Sequence, residues 1–329
     1  MTFEQFRGRG SIAPADHASA ATTDPLKDPA GYIAGQDLAR AVNIALALRM
    51  PLLVTGDPGT GKTQLAYRMA AELGLGPVLR FDTKSSSQAN DLFYQFDSVR
   101  QFAQSQLKAA AREPLPAPQE FIRWQAMGLA ILRAQAPDAP ALKGLGTAHP
   151  GHTRAMQSMV LIDEIDKAPR DFPNDLLNQI ENREFHAPEI GGHFVAPAAQ
   201  APVVLITSNS EKQLPEAFLR RCVYHHIEFP KDREELQEIL GERLRSVPLG
   251  ENSVNAAVKL FFRIRDDRGF SRAPSTSELL DWLRALAAAG LDDKVPLEQQ
   301  PKVVAAAAGS LFKTREDIER ARNLQPLAG

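Results

Sequence analysis

The sequence predicts an α/β domain with a central parallel sheet flanked by helices, followed by a smaller all-α domain. Three observations carry this. Continuous apolar runs at 51–55, 159–164 and 203–207 each lead into glycine or polar residues, the pattern of strands buried on both faces of a parallel sheet. Helical periodicity at 36–50 and 62–73 brackets the first of these runs, the alternation expected of βα units. From Pro230 onward strand patterns cease, and helical spacing recurs at 232–245, 254–265, 275–289 and 301–321.

Residues 1–30 are rich in Ala, Thr, Asp and Pro without a lasting period and read as a flexible N-terminal arm, leaving 31–229 as the α/β core and 230–329 as the helical domain. In the first helix Leu38, Ala41, Val42, Ala45 and Leu46 recur at helical spacing, with Ile44 and Leu48 widening the apolar face. The Tyr32-Ile33-Ala34-Gly35 turn before it lies where an adenine ring could pack.

The run at 51–55 delivers the chain into Gly56-Asp57-Pro58-Gly59-Thr60-Gly61-Lys62-Thr63, a phosphate-binding loop. Glycine permits the φ values that aim successive N–H groups into one concavity, and the following helix adds its positive end. Lys62 supplies a point charge for the β- and γ-phosphates, and the Thr63 hydroxyl is placed to ligate Mg²⁺.

A short strand is expected at 78–82. Residues 85–158 read as an insertion: 92–107 is either a strand followed by a helix or one long helix, prolines interrupt at 114–118, and 121–134 is a second amphipathic segment. The run at 159–164 then ends in Asp163 and Glu164. Ejected beside the phosphate loop by a buried strand, Asp163 can hold the Mg²⁺ shell and Glu164 can orient and deprotonate an attacking water.

Leu176, Leu177 and Ile180 continue a helix, and 185–194 reads as a hairpin with Gly191-Gly192 at its tip. The run at 203–207 leads to Ser208-Asn209, and a polar side chain there can hold the lytic water or touch the γ-phosphate. A short helix at 214–221 ends in Arg220 and Arg221, before a strand at 223–229. In the helical domain Ser275 and Glu278 make a capping box. His186, His193, His225 and His226 lack metal-ligand spacing, and Arg263, Arg265 and Arg268 read as a solvated helix face.

Composition narrows the function. Hydrophobic residues at 43% and charged residues at 24% are ordinary globular values, and no apolar run is long enough to cross a bilayer. A net charge of -2 argues against a protein held on nucleic acid by a global basic field. The single Cys222 excludes internal disulfides and cysteine-based zinc sites, and with a polar N-terminus it points to the cytoplasm. No Asn-Lys-x-Asp segment is present for guanine recognition.

The succession GDPGTGKT, MVLIDEIDKAP, VVLITSN, LPEAFLRRC and a helical lid resembles the AAA+ ATPases, and within them the MoxR-type branch. The stretches DEIDKAPRDFPNDLLNQIENREF and APSTSELLDWLRAL resemble the CoxD-like accessory ATPases. The resemblance covers about 32–320 and implies ATP and Mg²⁺ as cofactors. It implies an ATP-hydrolysing, chaperone-like motor that assembles as a homo-hexamer. Its partner would be a protein client, carrying or adapted by a von Willebrand A domain, and its role the maturation of a metalloenzyme or another complex. By the same resemblance Asn209 is sensor 1 and 185–194 the pre-sensor hairpin. Arg221 is then the arginine finger acting on the neighbouring subunit's nucleotide, with Arg220 the competing candidate. The chain departs from the branch at sensor 2, where Ser275-Thr276-Ser277 stands in place of the usual arginine and Arg272 is the substitute. The alternative is a nucleic-acid-dependent AAA+ ATPase such as a helicase loader, against which stands the lack of an evident helix-turn-helix.

Overall fold

Three long apolar runs and two shorter segments become one sheet. In the computed structural model, which describes residues 5–10, 28–230, 233–245 and 247–322, the strands are β1 (Leu52–Gly56), β2 (Leu79–Asp82), β3 (Tyr94–Phe96), β4 (Ile122–Trp124), β5 (Met159–Asp163), β6 (Glu184–Ala187), β7 (Gly192–Val195), β8 (Val203–Ser208) and β9 (Val223–Ile227). The main sheet has the order β2-β5-β8-β1-β9, and the pairs β2/β5, β5/β8 and β8/β1 are parallel. Its register sets Asp82 opposite Asp163, Ile162 opposite Ile206, and Thr55 opposite Ser208. The carboxyl ends of β1, β5 and β8 therefore stand side by side, the edge at which parallel sheets bind ligands. Leu53, Val54 and all of Met159–Ile162 are fully buried, each such side chain contributing about 1.5–3 kcal/mol against exposure.

Helices α1 (Gln36–Leu48), α2 (Lys62–Glu72), α3 (Ser98–Ala111), α4 (Ala126–Arg133), α5 (Phe172–Asp175), α6 (Leu177–Asn182) and α7 (Glu216–Leu219) complete this part of the chain. The stretch at 92–107 resolves into the strand-then-helix alternative, β3 followed by α3. The expected amphipathic segment at 121–134 instead begins as β4, because Tyr94 pairs with Trp124 and Phe96 with Ile122, a long-range partnership that helical spacing cannot register. Gln125 N donates to Phe93 O, and α4 packs so closely there that a Cβ on Gly128 would lie 1.9 Å from that carbonyl oxygen. Leu92, Phe93, Met127 and Ile131 join the main core, where Phe185 and Phe194 stack at 5.1 Å and Trp124 meets both edge-on at 5.9 and 5.7 Å. α3 is inverted: Val99, Phe102 and Leu107 are exposed while Gln101, Gln104, Ser105 and Lys108 are half-buried. Cys222 packs against the main core, and burial raises its thiol to about 12.

Within the N-terminal arm, residues 5–10 are tied to α1 through Asn43. Phe6 is buried, its N–H and that of Gln5 donate to Asn43 Oδ1 at 2.9 Å, and Asn43 Nδ2 returns a bond to Phe6 O. Residues 1–4 and 11–27 of the arm lie outside the described residues.

Contacts divide the chain into two compact units. One contains Ala34–Thr55 and Thr63–His226; the other contains Gly56–Lys62, Ile227 onward and residues just before Ala34. The second unit has its own core of Leu236, Leu240, Phe261, Trp282, Leu283 and Val304. It carries helices α8 (Arg233–Arg243), α9 (Glu251–Asp266), α10 (Thr276–Ala288), α11 (Pro301–Leu311) and α12 (Arg315–Ala321). The single helix expected over 301–321 breaks at Phe312, which leaves helical geometry to stack on Phe270 at 5.2 Å while Thr314 caps α12. Arg265 is not a solvated residue: its guanidinium lies 3.5 Å from the Phe229 ring centroid, it donates to Pro274 O, and burial lowers its pKa.

Candidate functional site: a phosphate loop and a carboxylate pair

The glycine-rich loop takes backbone angles that other residues resist. Gly59 and Gly61 have φ of 82° and 89°, and a Cβ on Gly59 would stand 2.5 Å from Ser275 Oγ. Within the same unit Ser277 Oγ donates to Gly59 O at 3.0 Å, so the serines at the start of α10 lie against the loop. Thr60 Oγ1 donates to Asp57 O, and Pro58 sits between Asp57 and Gly59 at the turn. Lys62 is buried, and its Nζ donates to Gly56 O at 2.7 Å and Asp57 O at 2.9 Å. Tyr32 is buried, with a ring carbon 3.1 Å from where a Gly61 Cβ would lie. Burial pushes its hydroxyl far above the ordinary value despite the Arg243 charge. Arg272, half-exposed, is paired with Glu278, the carboxylate that also closes the capping box on Ser275.

Thr63 begins the other group. Its Oγ1 donates to the Asp163 carboxylate at 3.1 and 3.2 Å, and Thr207 Oγ1 donates to Asp163 Oδ1 at 2.6 Å. Asp163 is buried, and Arg80 Nη2 reaches its Oδ2 at 2.9 Å. Burial alone would lower the Arg80 pKa, but Asp82 and Asp163 more than offset it and the pKa is raised.

Glu164 is the next residue and has a separate set of partners. Its backbone turns to φ 56°, and its N–H donates to Thr207 Oγ1 at 2.9 Å. Its Oε1 accepts from Asn209 Nδ2 at 3.2 Å and its Oε2 from Lys167 Nζ at 2.5 Å. Buried Asp166 accepts from Asn209 N and Glu211 N, which fixes the turn that presents Asn209. The sequence reading missed Arg80, Thr207, Asp166 and Lys167. Asp166 and Lys167 follow the carboxylate pair directly, whereas Arg80 is found only through the β2/β5 register. Farther along, Arg221 is 43% exposed and bonds Glu181 Oε2 and Ala217 O, while Arg220 is 74% exposed and pairs with Glu216.

The donor chemistry suits a hard cation: a hydroxyl and a carboxylate 3.1 Å apart, oxygen only, as Mg²⁺ prefers when phosphates and water complete its shell. Among the described residues no group of three or more His, Cys, Asp or Glu is arranged to hold a metal ion, so a cation here would rely on Thr63, Asp163 and a ligand's own oxygens.

The family model for the AAA domain, dynein-related subfamily, matches residues 51–222, more than half of the 329 residues. The chain belongs to this AAA family. The matched AAA segment runs from the start of β1 to the end of α7 and so contains the phosphate loop, the carboxylate pair, Asn209 and Arg221. No curated relative matches the chain. Among the described residues of this AAA protein, no helix is long and apolar enough to cross a membrane.

Proposed function

We propose that this AAA protein is an ATP-hydrolysing motor of the MoxR type that remodels a protein client. The observation that supports it most is the division of labour between adjacent carboxylates: Asp163 is held by Thr63 and Thr207, while Glu164 is held by Asn209 and Lys167. One acid is thereby kept as a cation ligand and the other as a base within reach of a polar orienting group.

Gly56–Lys62 cradle the phosphates, with the Lys62 ammonium turning from its own loop carbonyls to the β- and γ-oxygens. Thr63 and Asp163 would hold the Mg²⁺, which would supply charge neutralisation on those oxygens. Glu164 accepts the proton of the attacking water, Asn209 orients Glu164, and Arg221 stabilises charge at a neighbouring subunit's nucleotide in a hexameric ring. Arg272 takes the sensor 2 role beside the serines of α10. By resemblance to the CoxD-like branch, the client is a metalloenzyme or other complex that matures through a von Willebrand A domain partner.

Turnover of ATP by the purified protein tests the reaction. Glu164→Gln should cut phosphate release by roughly 10²–10⁴ while leaving nucleotide binding intact. Full turnover in that variant would remove Glu164 as the base. Affinity capture on Glu164→Gln with ATP should retain the client, and a Lys62→Ala control should lose it. Capture of nucleic acid with its processing proteins would overturn the client reading.

A further inference from the structure

Arg80 bridges two carboxylates of very different exposure. Its Nη2 is 2.6 Å from Asp82 Oδ1 and 2.9 Å from Asp163 Oδ2; the Asp82 side chain is 62% exposed and that of Asp163 6%. The arrangement follows from register: Arg80 and Asp82 share one face of β2, and Asp82 lies opposite Asp163 on β5. β2 is an edge strand, which leaves the Arg80 side chain 42% exposed, with room to swing.

A buried carboxylate without a counter-ion is costly. Asp163 Oδ2 is also one of the two oxygens that accept from Thr63 Oγ1, so a divalent cation ligated by Thr63 and Asp163 competes with Arg80 for the same oxygen and repels its charge. Asp82 gives Arg80 a second carboxylate, already bonded through Nε at 2.7 Å, to which it can withdraw entirely. We propose that Arg80 is a built-in counter-ion: it neutralises Asp163 in the metal-free protein and moves wholly onto Asp82 when the cation binds, setting the metal affinity of the nucleotide site. The inference rests on the cation role of Thr63 and Asp163 proposed above.

Mn²⁺ binding to the full-length protein with ADP, followed by the loss of the free-ion paramagnetic resonance signal, tests it without recourse to turnover. Arg80→Met, which keeps the stem but removes the competitor, should tighten Mn²⁺ binding on the order of tenfold. It should also lower the melting temperature in chelator and enlarge the gain on adding Mn²⁺ and ADP. Asp82→Ala, at an exposed position, should do the opposite and weaken Mn²⁺ binding, because Asp163 is then the only carboxylate of the pair left to Arg80. Arg80→Lys should fall between wild type and Arg80→Met. Unchanged or weaker binding in Arg80→Met, or no weakening in Asp82→Ala, overturns the counter-ion role. Wild-type protein whose Mn²⁺ affinity ignores ADP overturns the site assignment itself.

Discussion

Glu164 occupies the left-handed region at φ 56°, where a non-glycine residue costs roughly 1–2 kcal/mol, and Thr207 helps hold it there through its N–H. Residues of this kind were legible in the sequence because chemistry demands one residue type at one spacing: Lys62 and Thr63 after the glycines, Asp163 and Glu164 after the apolar run. Arg80 and Thr207 were not, because what they touch is decided by which strands become neighbours. His225 on β9 supplies a prediction at this scale. Its pKa is lowered, chiefly by burial and further by His226, against the opposing charge of Asp37. An unfolded chain takes up that proton near 6.5 while the folded one holds out to lower pH, so between the two values the unfolded state binds more protons. Stability is therefore kept above that window and lost as pH falls through it. The urea midpoint should drop more between about pH 7 and about pH 5.5 in wild type than in His225→Gln, and identical profiles would remove His225 as the source.

Helices and strands were legible wherever one period ran unbroken, as in β5 and α10, whose capping box at Ser275 and Glu278 is formed as read. The misread elements are those whose partner lies far along the chain. β4 is three residues of strand because β3 waits for it, and α11 ends where Phe312 finds Phe270. The position of α4 is set by an absence of side chain at Gly128. Helix propensity alone would favour Ala there by about 1 kcal/mol, but the new Cβ would lie 1.9 Å from Phe93 O. Overpacking of this kind costs about 1–3 kcal/mol, so Gly128→Ala should lower unfolding free energy in a denaturant titration. A stabilised variant would mean that α4 can shift freely away from β3.

For the whole molecule, AAA membership gives the fold and the general kind of protein, whereas the proposed client leaves no local signature in the chain. The inverted helix α3, with Val99, Phe102 and Leu107 turned outward, illustrates why: periodicity locates an apolar face but does not say what that face meets. Assembly can be tested through Arg221. If the finger serves a neighbouring subunit, Arg221→Ala and Lys62→Ala proteins should each lose roughly 10³ or more in turnover, and mixing them should restore part of it, since some interfaces regain both residues. No recovery on mixing, with mixed assembly verified by mass, would place the arginine within its own subunit's site.

Cys222 carries a practical corollary. With its thiol at about 12 and its sulfur packed on the core, almost none of it is thiolate at neutral pH, and thiolate is the reactive form. It is also the sole cysteine of the chain. A cysteine introduced at any exposed position would be the dominant target for maleimide dyes, so fluorescent pairs for watching this protein through a catalytic cycle can be installed without first removing a native residue.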